Sequence, residues 1–189
     1  MFLVGRGLYS MKHNFSALAL AQVALSAAVV PLIEEALFRG LFLGVLLRAM
    51  RPWTANIVSA AIFSIVHILK AADQTTTDVR WSSGFVSLAH STDQFAQPAL
   101  VLAGFTTLFV IGVALAHARL RTRSLWLPMG LHAGWIFFSE AFSKIARREI
   151  VALPWLGKNL LVGLVPLAIC LLSWVLLRLW LRYAGARAS

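Results

Sequence analysis

From Phe15 to Met50 the chain is almost continuously apolar, interrupted only by Pro31, Glu34-Glu35, Arg39, Gly40 and Gly44. A single α-helix of that length would measure ~54 Å at 1.5 Å per residue. A bilayer's hydrocarbon core is only ~30 Å thick and takes about 20 apolar residues per crossing. The run therefore predicts two helices, or one helix kinked near Pro31. Further runs at Trp53–Lys70, Pro98–His117, Ser124–Phe142 and Lys158–Tyr183 have the length and grease of membrane spans. The expected fold is an all-α, polytopic transmembrane bundle of about six helices, with residues 1–189 forming a single domain.

Composition supports this reading and removes its competitors. The chain is 60% hydrophobic and 13% charged, with a mean hydropathy of +0.81, whereas a soluble domain carries about 25% charged residues. The net charge of +10 does not imply nucleic acid, because most Lys and Arg flank the apolar runs, where the positive-inside rule expects them. No nucleic-acid partner is expected; the bilayer is the partner. Arg6 and Lys12 before the first run resemble a signal-peptide n-region, but cleavage near Ala27-Ala28 would leave little before Glu34, so a signal peptide is not expected. The single Cys170 excludes a disulfide framework or cysteine metal cluster, and no internal repeat is visible.

Residues 71–97 form the one long polar stretch and hold three of the seven acids. They read as a linker, with a lid over a site as the alternative. Arg48/Arg51, Arg119–Arg123 and Arg178–Arg187 put eight basic residues on one side, against six at Lys70, Arg80, Lys144–Arg148 and Lys158, which favours a cytoplasmic first side. Gly104 and Gly112 suit close helix packing. His13 reads as interfacial, His90 as solvated and His117 as a helix cap.

Ionisable residues in three apolar segments carry the functional signal. An ionisable side chain at bilayer depth costs at least ~2.5–3.5 kcal/mol and marks a site by default. Glu34, Glu35 and Arg39 lie in the first run, His67 in the second, and His132 in a later one. Glu35 and Arg39 are four apart, acid first, so they share a helix face and can pair. Glu34 points about 100° away and is left without a partner on its own helix. If the chain reverses at Arg51-Pro52, Glu35 and His67 both lie ~23–24 Å from the turn. Glu34 and His67 are then expected roughly 4–7 Å apart, with one bridging water. His132 is harder to place, being only ~12 Å beyond Ser124. Spacing alone leaves three readings open: a carboxylate and imidazole that activate water for peptide hydrolysis, a buried network that locks the bundle, and a proton or ion pathway.

Pro31-Leu32-Ile33-Glu34-Glu35-Ala36-Leu37-Phe38-Arg39-Gly40 resembles the EExxxR motif of the CAAX-protease and bacteriocin-processing family. Phe63 to His67 is similar to its FxxxH motif, and Gly112 through Trp135 to its third region, so the likeness covers residues 31–138. The resemblance implies an intramembrane glutamic endopeptidase that cuts near the C-terminus of a membrane-anchored or lipidated protein. Carried over by position, it gives Glu34 and His67 the activation of water and His132 the oxyanion. Glu35 and Arg39 take supporting roles, and Phe63 orients His67. It also implies a multi-pass protein of a bacterial inner or plasma membrane. The family's third motif reads HxxxN or HxxxD, whereas the fourth residue after His132 here is Ile136; Ser139 and Glu140 are the nearest substitutes. No cofactor is expected. Zinc is the competitor, since two histidines and a carboxylate form a known ligand set, but HExxH is absent. The functional alternatives are a non-catalytic bacteriocin-immunity or scaffold protein and a small transporter; the latter should show inverted repeats.

Overall fold

The computed structural model describes residues 9–12, 16–69, 98–149 and 163–187. The loop at 71–97, with His90, and also His13, Lys70 and Lys158, lie outside them. Five helices organise the described chain: α1 (Ala17–Ala49), α2 (Pro52–Ile68), α3 (Pro98–Thr122), α4 (Trp126–Ile145) and α5 (Leu164–Arg187). A two-stranded antiparallel ribbon, β1 (Tyr9–Met11) on β2 (Ala146–Arg148), ties the N-terminal segment to the end of α4, with the Tyr9 ring edge-on to Phe142.

The expected all-α membrane bundle is observed, with a different number of clear spans. By length and composition α1, α3 and Leu164–Tyr183 of α5 can cross a membrane, while Pro52–Ile68 is apolar but shorter. The polar groups His132, Glu140 and Lys144 dilute α4.

Of the two expectations for the first run, the structure excludes two separate helices: one helix continues through Pro31. Ser16 caps α1, its hydroxyl accepting from Leu18 N–H, and the helix then runs on through Pro31 to Ala49. Its irregularity comes five residues after Pro31, as a π-helical segment over Ala36–Phe42 that closes with Leu43 N–H donating to Phe38 O. The wider π turn rotates everything beyond it relative to a straight α-helix. It starts directly after Glu34 and Glu35.

Pro52 occupies the first turn of α2, where its missing N–H costs nothing, so the reversal at Arg51-Pro52 is where the sequence puts it. The buried positions of α2 are Ala55, Asn56, Ser59, Ala60, Phe63 and Ser64. They recur at helical spacing and form the helix's more polar face, which turns into the bundle, while Ile65 and Val66 face outward. This inversion is natural where the surroundings are lipid. The α2 helix packs most extensively on α3. Gly112 is the reason it can: a Cβ there would lie 3.0 Å from both Cα and Cβ of Ala60. At this approach Asn56 Nδ2 donates to Val113 O at 3.4 Å. The Gly112 expectation is thus met, with Ala60 as the partner surface.

The early part of α1 packs on α4, and α3 on α5. Phe38, Phe63, Leu108, Ile111, Leu115 and Cys170 make the main apolar core. Helix α3 stops with Arg123 in the left-handed region (φ 54°), its N–H reaching back to Arg119 O at 2.9 Å. Ser124 Oγ then accepts from Trp126 N–H at 3.3 Å, while the cap position itself is Leu125, with no side-chain cap.

Candidate active site

Glu34 and Glu35 arrive in the last turn of α1 before its π segment, His67 at the last turn of α2, and His132 in the second turn of α4. The fold brings all of them together. Glu35 and Arg39 are fully buried and pair at 2.9 Å between Oε1 and Nη1. The same Glu35 oxygen lies 2.9 Å from His132 Nδ1. Its carboxylate therefore bridges a guanidinium and an imidazole, and the ion pair read from the sequence gains a third member. Arg39 Nη2 points at Gly112 O on α3, at 3.5 Å.

Glu34 occupies the other side of the same imidazole. Its Oε2 lies 3.3 Å from His67 Nε2 and 3.7 Å from His132 Nε2. The expected 4–7 Å separation with an intervening water is corrected to direct contact at 3.3 Å. The mismatch in depth foreseen for His132 also disappears: α4 begins only three residues after α3 ends and meets α1 at the level of the two glutamates.

Phe63 organises the cluster. Its carbonyl oxygen lies 2.8 Å from His67 Nδ1, and a carbonyl can only accept, so Nδ1 carries the proton. Its ring meets the His67 ring at a 40° tilt with centroids 4.1 Å apart, meets His132 edge-on at 6.0 Å, and lies 4.3 Å beneath the Arg39 guanidinium. Phe63 thus packs against His67, as expected, and also against His132 and Arg39, which sequence spacing does not connect to it. Phe38, equally buried, closes the cluster edge-on to Phe63 at 5.2 Å.

Tautomer logic defines what the cluster can do. With Nδ1 of His67 donating to Phe63 O, and Nδ1 of His132 donating to Glu35, both Nε2 atoms are left facing the Glu34 carboxylate. If both imidazoles are neutral and Glu34 is ionised, three acceptors meet and none has a donor. One proton placed among the three resolves this. It also balances the charge of the whole cluster, since Glu34, Glu35 and Arg39 alone sum to −1. Glu34 Oε2 is buried without an aligned hydrogen bond. Its Oε1 accepts no hydrogen bond from a described residue either. The carboxylate turns one oxygen to the histidines and leaves the other unengaged by any described residue. Side-chain exposure is 27% for Glu34 and 24% for His67 against 8% for His132 and 0% for Glu35.

Ile136, one turn after His132, offers no donor. Ser139 spends its hydroxyl on Ile136 O at 3.1 Å, and Glu140 is exposed. Neither is engaged with the cluster.

A family model described as type II CAAX prenyl endopeptidase, Rce1-like, matches residues 16–138. That stretch contains Glu34, Glu35, Arg39, Phe63, His67, Gly112 and His132. No curated protein and no solved structure matches the chain. The match spans roughly two thirds of the sequence and agrees with the motifs on α1, α2 and α4: the chain is an integral membrane protein that belongs to the Rce1-like family of CAAX-type intramembrane proteases.

Proposed function

We propose that the chain cuts a membrane-anchored or lipidated protein near its C-terminus, by water activated at Glu34 and His67, in a bacterial inner or plasma membrane. The observation that carries this reading is the Glu34 carboxylate held against two imidazole Nε2 atoms, with its other oxygen unengaged by any described residue. A water at that oxygen and at His67 Nε2 gives up a proton to Glu34 as its oxygen attacks the scissile carbonyl carbon. The carbonyl π electrons move onto oxygen, and the resulting oxyanion accepts from His132 Nε2–H. The extra proton on His132 is offset by Glu35 at its Nδ1, so Glu35 and Arg39 position and balance the donor and touch no reacting atom. Collapse of the tetrahedral intermediate breaks the C–N bond, and the proton held by Glu34 passes to the leaving amine. General-base help of this kind contributes typically 10²–10⁴-fold.

Metal-free chemistry is part of the proposal. The test is the purified chain in lipid nanodiscs with a farnesylated peptide ending in a CAAX sequence, the same peptide without the lipid, and mass spectrometry of the new C-terminus. Cleavage of the lipidated peptide that survives 1,10-phenanthroline supports the reading. Cleavage abolished by the chelator and restored by zinc replaces it with a metallopeptidase.

Ile136 favours one second reading, a non-catalytic immunity or scaffold protein. The family motif puts an Asn or Asp there, and this chain puts an aliphatic side chain. On that reading no candidate substrate is cut, while the buried cluster still holds the bundle together.

A further inference from the structure

Outside the active-site cluster, one end of the bundle carries described arginines and no described acid, while the other mixes Glu140 and Glu149 with Lys12, Lys144 and Arg147. Helices α3 and α5 run parallel: Cys170 packs into the core with Leu108, Ile111 and Leu115, and Trp174, one turn later, meets His117 edge-on at 6.5 Å. Their C-terminal halves therefore share one end. The end of α1 joins them, because Leu46 and Met50 pack with Leu120 around Leu43, Ala55 and Ala116. Arg48, Arg51, Arg119, Arg121, Arg123, Arg178 and Arg182 thus gather on one side. None of them forms an ion pair with a described residue. Glu140 and Glu149 lie at the far end of α4 and just past β2, on the other side.

Within this basic end one arrangement is built rather than merely crowded. The Arg178 guanidinium lies over the Trp174 ring, 5.5 Å from its centroid. Trp174 in turn meets His117 edge-on, and Arg121 lies one turn after His117 on the same face of α3. Two guanidiniums therefore border one imidazole and one indole, with no described carboxylate to neutralise them. Stacking on an indole fixes the plane of a guanidinium and leaves its N–H fork free. Such forks match the oxygens of a phosphate group. Arg121 lies one residue before the end of α3 and Arg178 five residues before the end of the apolar span of α5, within reach of headgroups for long side chains, and a cytoplasmic leaflet supplies anionic ones.

A substrate's terminal carboxylate does not reach this end. Arg121 lies nine residues, ~13 Å, along α3 beyond Gly112, whose carbonyl Arg39 reaches, whereas a carboxylate three residues past a cut extends only ~10 Å.

We propose that the edge where α3 and α5 meet, bordered by His117, Arg121, Trp174 and Arg178, binds the phosphodiester headgroup of an anionic phospholipid and holds this end of the bundle at the cytoplasmic leaflet. Half of this site comes from α5, beyond the stretch that the family model matches, and it is independent of the proteolytic reading.

The test uses the full chain purified in detergent, with native mass spectrometry of bound lipid and thermal unfolding as readouts. Phosphatidylglycerol should be retained in preference to phosphatidylcholine. Arg121→Gln together with Arg178→Gln should weaken that retention roughly thirtyfold, and Arg121→Gln alone roughly fivefold. Lys144→Gln, at the opposite end, should leave it unchanged. If the double variant does not fold, the wild-type lipid preference and the single variant still decide. Equal retention of the two lipids, or undiminished retention in Arg121→Gln, overturns the proposal. Inorganic phosphate at matched ionic strength that raises the unfolding temperature as much as phosphatidylglycerol does would overturn the lipid assignment in favour of a free anion.

Discussion

Removing the Arg39 guanidinium tests whether the cluster is a coupled buried unit. Arg39 is fully buried, pairs with Glu35 at 2.9 Å and lies 4.3 Å from the Phe63 ring centroid. At an effective dielectric near 20 the gross attraction of such a pair is roughly 6 kcal/mol, and the cation–π contact adds about 2 kcal/mol when desolvated. Most of this is cancelled by the cost of taking both ions out of water. The measurable quantity is the penalty for stranding one of them, about 3–5 kcal/mol. Arg39→Met keeps much of the volume and strands Glu35, which then has only His132 to share its charge. For a chain of this size the loss corresponds to an unfolding temperature lower by roughly 6–20 °C. Glu35→Gln combined with Arg39→Met removes both charges, and the amide oxygen can still accept from His132 Nδ1. The double variant should therefore be more stable than Arg39→Met alone. The assay is thermal unfolding in detergent, followed by tryptophan fluorescence. Wild-type stability in Arg39→Met, or a double variant less stable than the single one, would refute the reasoning.

His132→Ala should lower turnover about 10²–10³-fold, the usual loss for one oxyanion donor, with little change in KM; equal losses in binding and turnover would assign His132 to substrate positioning instead. Ile136→Asn should raise turnover by supplying a second donor one turn from His132, and initial rates on one lipidated peptide decide it, an unchanged rate counting against a missing donor. Gly112→Ala should destabilise by about 1–3 kcal/mol, the range for overpacking a tight contact, because Cα of Ala60 lies 3.0 Å from the new Cβ position. Adding Ala60→Gly should relieve that only in part, and a Gly112→Ala chain as stable as wild type would show the α2–α3 contact to be loose.

The membrane bundle was legible because it rests on long-range composition: apolar runs near 20 residues, with arginines at their ends. The grouping of Glu34, Glu35, Arg39, His67 and His132 was legible because each is too costly in lipid to stand alone. The dual contacts of Glu35 and Phe63 were not, since a helical pair rule links Glu35 to Arg39 but cannot bring in a residue ninety-seven positions away. The π segment was also hidden. Ala36–Phe42 contains no residue type that distinguishes a π turn from an α turn, so the sequence pointed to Pro31, which the helix accommodates. The polar face of α2 could have been found, because Asn56, Ser59, Phe63 and His67 recur at three and four residues. That periodicity marks the inward side of a membrane helix in the same way that an apolar stripe marks it in a soluble one.

Glu34→Gln is the most direct test of the account. The substitution keeps size and shape, removes the base, and leaves a neutral amide that a membrane bundle holds at least as easily as a carboxylate. Turnover of a lipidated CAAX peptide should fall ~10²–10⁴-fold, with abundance and unfolding temperature close to wild type. A Glu34→Gln chain that cleaves at the wild-type rate would contradict water activation by Glu34.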